Sequence, residues 1–68
     1  MIGPMIEGFR VGQKVKINAP HNAPQNADHR KDGYIASIEQ ARGMYIFWID
    51  FGTGRPRAFV STQLREVQ

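Results

Sequence analysis

Apolar and polar positions alternate over several short stretches of this chain. In Lys14-Val15-Lys16-Ile17 the two apolar residues share one side and the two lysines the other. That is the pattern of a strand with one buried face and a basic face in water. Residues 44–51 also read as a strand. Tyr45, Phe47 and Ile49 fall on one face, and Ile46, Trp48 and Asp50 on the other. Both faces carry large apolar side chains, so a single core does not account for all of them. Tyr34 to Gln40 forms a further strand in which Ile35 and Ile38 fall on opposite faces. They reach one core together only through a bulge. Arg55 to Val60 is another strand, with Pro56 near its start, where a missing N–H matters least. Ser61 to Leu64 reads as one helical turn, and Arg65 to Val67 as a short closing strand.

The connections follow from turn chemistry. Asp32-Gly33 is expected to turn the chain into the second strand, Ala41-Arg42-Gly43 to form a short hairpin connection, and Gly52-Thr53-Gly54 a tight turn. Residues 18–32 hold Asn-Ala-Pro at 18–20 and again at 22–24, then Asn-Ala-Asp at 26–28, with no large apolar residue. This is a long polar loop, and a loop over ~12 residues in a small domain is usually either functional or disordered. Residues 1–8 hold two glycines and a proline without alternation and read as a flexible arm. Residues 9–68 are then one domain of five short strands without an amphipathic helix. So small an antiparallel sheet leaves raw edges unless it curls closed. The prediction is an all-β, five-stranded SH3-like small barrel.

Size and composition narrow the function. A chain of 68 residues buries only roughly 60% of the surface its unfolded form exposes, enough for one small core. It has no cysteine, which removes disulfides and cysteine-based zinc sites. The start, Met1 to Phe9, lacks the basic residues and the length of a signal peptide. No apolar run approaches the ~20 residues needed to cross a bilayer. The expectation is a cytoplasmic protein with no membrane partner. A net charge of +3 and a pI near 9.8 suit either plain solubility or attraction to polyanions.

Three segments carry a family resemblance. Tyr34-Ile35-Ala36-Ser37-Ile38, then Ile46-Phe47-Trp48-Ile49-Asp50-Phe51-Gly52, then Ser61-Thr62-Gln63-Leu64 are similar to the Tyr-x-Ala-x-Val/Ile strand, the Val-x-Phe/Tyr-x-Asp-Tyr-Gly strand and turn, and the Ser-x-x-Leu turn of Tudor domains. The resemblance covers residues from about 11 to 67. Its Asp-Phe/Tyr-Gly element is moderately specific, and the rest is shared with other small barrels such as KOW modules. It implies an aromatic cage at one end of the barrel, which in the family holds methylated Arg or Lys. Tyr34, Trp48 and Phe51 match three of the four cage positions. The fourth comes from the loop after the first strand, which here offers only His21 and His29, and Thr53 stands where the family has Asn. Three aromatics still suit a cation, a base or a planar side chain.

The candidate ligand-binding platform is therefore Tyr34, Trp48 and Phe51, unless Trp48 is core or covered by the loop or by a second subunit. Arg55 and Arg57 flank Pro56 and point to one side. With Lys14 and Lys16 they make a candidate basic stripe, and His29-Arg30-Lys31 adds charge beside it. Cations near exposed aromatics suit single-stranded nucleic acid, and they equally suit an edge kept charged against aggregation. His21 and His29, eight apart with Asp28 and Asp32 nearby, have no evident means of converging on an ion, so no metal or cofactor is expected. Ser37, Ser61, Thr53 and Thr62 have no obvious base, and no glycine loop cradles phosphate, so the chain does not read as an enzyme. One enzymatic resemblance is weaker. Phe9-x-x-Gly12-x-x-Val15 and Leu64-Arg65 are broadly similar to type II dihydrofolate reductases, which are homo-oligomeric barrels, but residues 57–60 do not match their active-site segment. The leading expectation is a non-catalytic module recognising a peptide or protein. The alternatives are nucleic-acid binding and a homo-oligomer that buries its own aromatics.

Overall fold

A computed structural model describes residues 4–67. The chain forms strands β1 (Lys14–Ile17), β2 (Asp32–Ala41), β3 (Met44–Asp50), β4 (Arg57–Phe59) and β5 (Leu64–Glu66). All pair antiparallel in one sheet, in the order β4-β3-β2-β1-β5. Short 3-10 turns at Gln25–Asp28 and Ser61–Gln63 are the helical elements among the described residues. Among the described residues no helix is long and apolar enough to cross a membrane.

Alternation decides the faces. In β1, Val15 and Ile17 are buried and Lys14 and Lys16 exposed. In β3 the inward row is Tyr45, Phe47 and Ile49, the last two at 0% exposure. The register pairs Ile35 with Ile49 and Ser37 with Trp48, so Ala36 is the extra residue of a bulge. Ile38 then falls opposite Phe47 and packs on the same core as Ile35. Phe9, Val15, Ile17, Ala19, Phe59 and Leu64 complete that core.

Turn chemistry accounts for two of the connections. Arg42 (φ 52°) and Gly43 (φ 77°) form the two-residue hairpin loop between Ala41 and Met44. Both residues are left-handed, as the turn that matches strand twist requires. The same pairing of left-handed residues recurs at Glu7 and Gly8, where Ile6 and Phe9 bridge each other. Within the expected flexible arm, residues 1–3 lie outside the described residues. Residues 4–8 contain this tight turn, and Ile6 packs against the core.

Asp32-Gly33 is not a turn. Both residues belong to β2, with Gly33 opposite Val15. β3 approaches Gly33 so closely that a Cβ there would stand 2.6 Å from Ile49 Cγ2 and 2.9 Å from the Asp50 carbonyl oxygen. Glycine is needed here for that close approach.

The two outer strands, β4 and β5, are joined by residues 60–63 alone. A flat sheet would hold them roughly 19 Å apart at ordinary strand spacing. A connection that is largely 3-10 reaches only about 13 Å. The sheet must therefore curl, which brings its two edges towards each other. Loop 18–32 is ordered along this gap. Asn18 N donates to the Gln63 carbonyl (2.7 Å), and Asp28 forms an ion pair with Arg57 of β4. His29 Nδ1 accepts the Ala19 N–H (3.1 Å), and Arg30 N donates to the Ile17 carbonyl (2.8 Å), closing the base of the loop. An edge strand with unpaired backbone groups invites aggregation, and this loop lies against it.

Candidate binding site

The turn after β3 is built by Asp50. Its Oδ1 accepts the backbone N–H groups of Gly52 (2.8 Å), Thr53 (3.2 Å) and Gly54 (3.3 Å). Gly52 and Gly54 take the left-handed conformations that let those groups converge. Thr53 Oγ1 then accepts the Arg55 N–H (3.2 Å). The Asp-Phe-Gly element thus has a local structural cause, a carboxylate capping a tight turn.

Phe51 continues the inward row of β3 at the end of the sheet. Its ring meets Phe59 edge-on at 6.1 Å between centroids, and Lys31 Nζ lies 5.9 Å from its centre. Gly33 makes room beneath it, since a Cβ there would be 2.9 Å from Phe51 Cδ1. Beside this ring sits Asp28, buried at 4% exposure. Lys31 Nζ donates to Asp28 Oδ1 at 3.1 Å. Arg57 Nε meets Oδ2 as a charge contact whose N–H is not aimed at the oxygen. Asp28, Lys31, Phe51, Thr53, Arg55 and Arg57 line an open groove of about 360 Å³ along this end.

Trp48 lies elsewhere. It belongs to the outward row of β3, between Ser37 of β2 and Ala58 of β4. It is half-buried, and its indole Nε1 donates to Glu39 Oε1 at 3.0 Å. Ile46 and the exposed Met44 continue the row. Together with Ala58 and Val60 they line an apolar hollow of about 210 Å³. Tyr34, 55% exposed, stands on the same outward side, opposite Asp50 and beside Lys14.

No protein family, curated protein or solved structure matches this chain.

The predicted site residues thus fall into two groups. Tyr34 and Trp48 share the outward face of the sheet, whereas Phe51 lies with the inward row at the groove. Among the described residues the close ring pairs are Phe9–Phe47 and Phe51–Phe59, so Trp48 stacks on neither of its expected companions. The four expected cations divide as well. Lys14 and Lys16 point outward from β1, where Lys16 pairs with Asp32 at 3.3 Å. Arg57 lies opposite Ile49 on the inward side of β4, with β3 and β2 between it and β1, and Arg55 precedes it at the groove. They do not make one stripe. The residue that sequence reasoning missed is Asp28. Its signal was a lysine three positions on, the spacing of a local ion pair across a helical turn. Loop position alone concealed its burial.

Proposed function

We propose that this chain is a non-catalytic binding module on an SH3-like barrel of Tudor or KOW type, and that it holds a segment of another protein on the outward face of β2, β3 and β4. The strand order, the four-residue link between β4 and β5 and the Ser-x-x-Leu turn support the barrel. The observation that carries the function is the position of Trp48. The core is complete without it, its N–H is engaged by Glu39, and its ring stands in an apolar row with Ile46 and Met44 on the side facing water. A large aromatic held in place and partly open is the usual anchor of a protein interface. Tyr34 and Lys14 extend the same face.

A methylated cation is a poor guest for the groove at the end of the sheet. Lys31 already lies over the Phe51 ring, and Arg55 and Arg57 line the same space, so a second cation meets repulsion there.

The test is selection of peptides from a display library on the immobilised chain, followed by affinity measurement on variants. Binders should lose at least tenfold on Trp48→Ala and keep their affinity on Arg55→Ala. Sedimentation from about 5 to about 500 µM should show a constant monomer mass. Binders indifferent to Trp48, or a mass that rises to a dimer and falls back with Trp48→Ala, would sink the reading, the second in favour of self-association.

A further inference from the structure

From the groove at the end of the sheet we infer a second site, one that takes the phosphates of a single-stranded nucleic acid. It is separate from the Trp48 face and does not rest on it.

The argument begins with Asp28. Two cations that would otherwise repel are drawn to one buried carboxylate, Lys31 to Oδ1 and Arg57 to Oδ2. Neither is exhausted by that contact. Lys31 offers three N–H donors and uses one on Asp28. Arg57 meets Asp28 at Nε as a charge contact without a hydrogen bond, so its N–H donors remain for an anion outside. The two side chains are about half exposed, at 58% and 47%, so their outer donors reach solvent. Arg55, across the groove, makes no ion pair among the described residues. Thr53 adds a hydroxyl whose oxygen already accepts the Arg55 N–H, so its own proton is available to an anionic oxygen. Three cations and a hydroxyl thus line one groove, two of the cations held by a carboxylate that is itself sealed from solvent.

The apolar part of the lining points to the class of anion. Phe51 is partly exposed, and Pro56, which lines the same groove, is an exposed apolar residue. A base can rest on Pro56 and on the part of Phe51 that Lys31 leaves open, while its phosphate meets the cations, as apolar and cationic groups combine in single-strand binders. The groove's 360 Å³ accommodates a group the size of one nucleotide. An acidic peptide would satisfy the cations and leave the rings unused.

The probe is a short oligodeoxythymidylate titrated into isotope-labelled chain at low salt. Amide shifts should concentrate at Lys31, Phe51, Thr53, Arg55 and Arg57. Three cations less the Asp28 carboxylate leave a net charge of two, and neutralising two phosphates on a single strand predicts a slope of about −1.4 in log K against log salt, shallower by about 0.7 in Arg55→Ala. Affinity should fall at least fivefold in Arg55→Ala and further in Arg55→Glu. Arg55 is exposed and makes no ion pair among the described residues, so both variants should keep the fold. Asp28→Asn should weaken binding despite removing a negative charge, because Lys31 and Arg57 lose their shared anchor, and a gain in affinity would overturn the positioning role. Trp48→Ala should leave oligonucleotide binding unchanged. The inference is overturned by shifts centred on Trp48 and Tyr34, by no shift at millimolar oligonucleotide, or by a Glu octapeptide that binds the groove equally well.

Discussion

The two rows of β3 are made of similar residues and have different fates. In the inward row, Phe47 and Ile49 meet Ile38, Phe59 and Ile35 across the neighbouring strands and are sealed, while Tyr45, opposite Gln40, packs against the core half-buried. The outward row, Met44, Ile46 and Trp48, meets Ala41, Glu39, Ser37 and Ala58, which are small or polar. Hydrophobicity along one strand does not distinguish these faces. The partners across the sheet do, because a core needs large apolar surface from both sides and the outward row lacks it.

The largest way to break this contrast is at Phe47. Phe47→Ala removes a ring at 0% exposure from the centre of the core. Such a change costs about 3–5 kcal/mol. A domain of this size has only about that much stability to lose. The amide spectrum should collapse to the narrow dispersion of an unfolded chain, and a native-like spectrum with an unchanged urea midpoint would mean the inward row is not the core.

Next comes the inward side's tightest approach. Gly33→Ala places a methyl 2.6 Å from Ile49 Cγ2 and against the Asp50 carbonyl, which is backbone and cannot swing aside. Overpacking of this kind costs about 1–3 kcal/mol. Gly54→Ala is the control. Nothing lies within 4 Å of that added methyl, and the left-handed φ of 77° alone opposes it, at about 1 kcal/mol. Urea melts of the pair should rank Gly33→Ala as the worse, and equal midpoints would remove the close approach as the reason for this glycine.

Much of this fold was legible because its signals were local. The alternation at 14–17 gave the faces of β1, the conflict between Ile35 and Ile38 demanded the bulge that Ala36 supplies, and Arg42-Gly43 marked the hairpin. Gly33 was misread because a glycine after aspartate is a common turn signal. Its real cause, the approach of β3, comes from residues sixteen and more positions away. The site was legible only in its parts. Tyr34, Trp48 and Phe51 were picked out as aromatics, and the alternation that turns Phe47 and Ile49 inward also turns Phe51 away from Trp48, a split that the cage resemblance passed over. Asp28 was hidden for the opposite reason: its loop has no large apolar residue, and its burial comes from folding back over the edge at β4.

The outward row contains its own structural residue, Asp50, at the turn. Asp50→Ala frees the N–H groups of Gly52, Thr53 and Gly54. Because the turn is exposed, water replaces much of what is lost, and the cost should be about 1 kcal/mol. The effect should be visible as faster hydrogen exchange at those amides and at Arg55, whose N–H depends on Thr53. Unchanged exchange there would show that the carboxylate does not hold the turn.

The smallest expected effect on stability is the most informative about function. Trp48→Ala deletes the largest side chain of the protein, yet that ring contributes only to a half-solvated face. Its cross-strand neighbours are the small Ser37 and Ala58, and its bond to Glu39 is exposed to competition from water. The loss should be about 1 kcal/mol or less by cross-strand pairing. In a domain this small that corresponds to a fall of about 4–8 °C in Tm or less. Phe47→Ala, one position along the same strand, should leave no thermal transition to measure. Trp48 is the sole tryptophan, so its fluorescence reports on this position alone. In the native chain acrylamide should quench it readily, although less than free indole. Quenching as weak as in a sealed core, together with a Trp48→Ala chain that fails to fold, would place the indole on the inward side and erase the difference between the two rows.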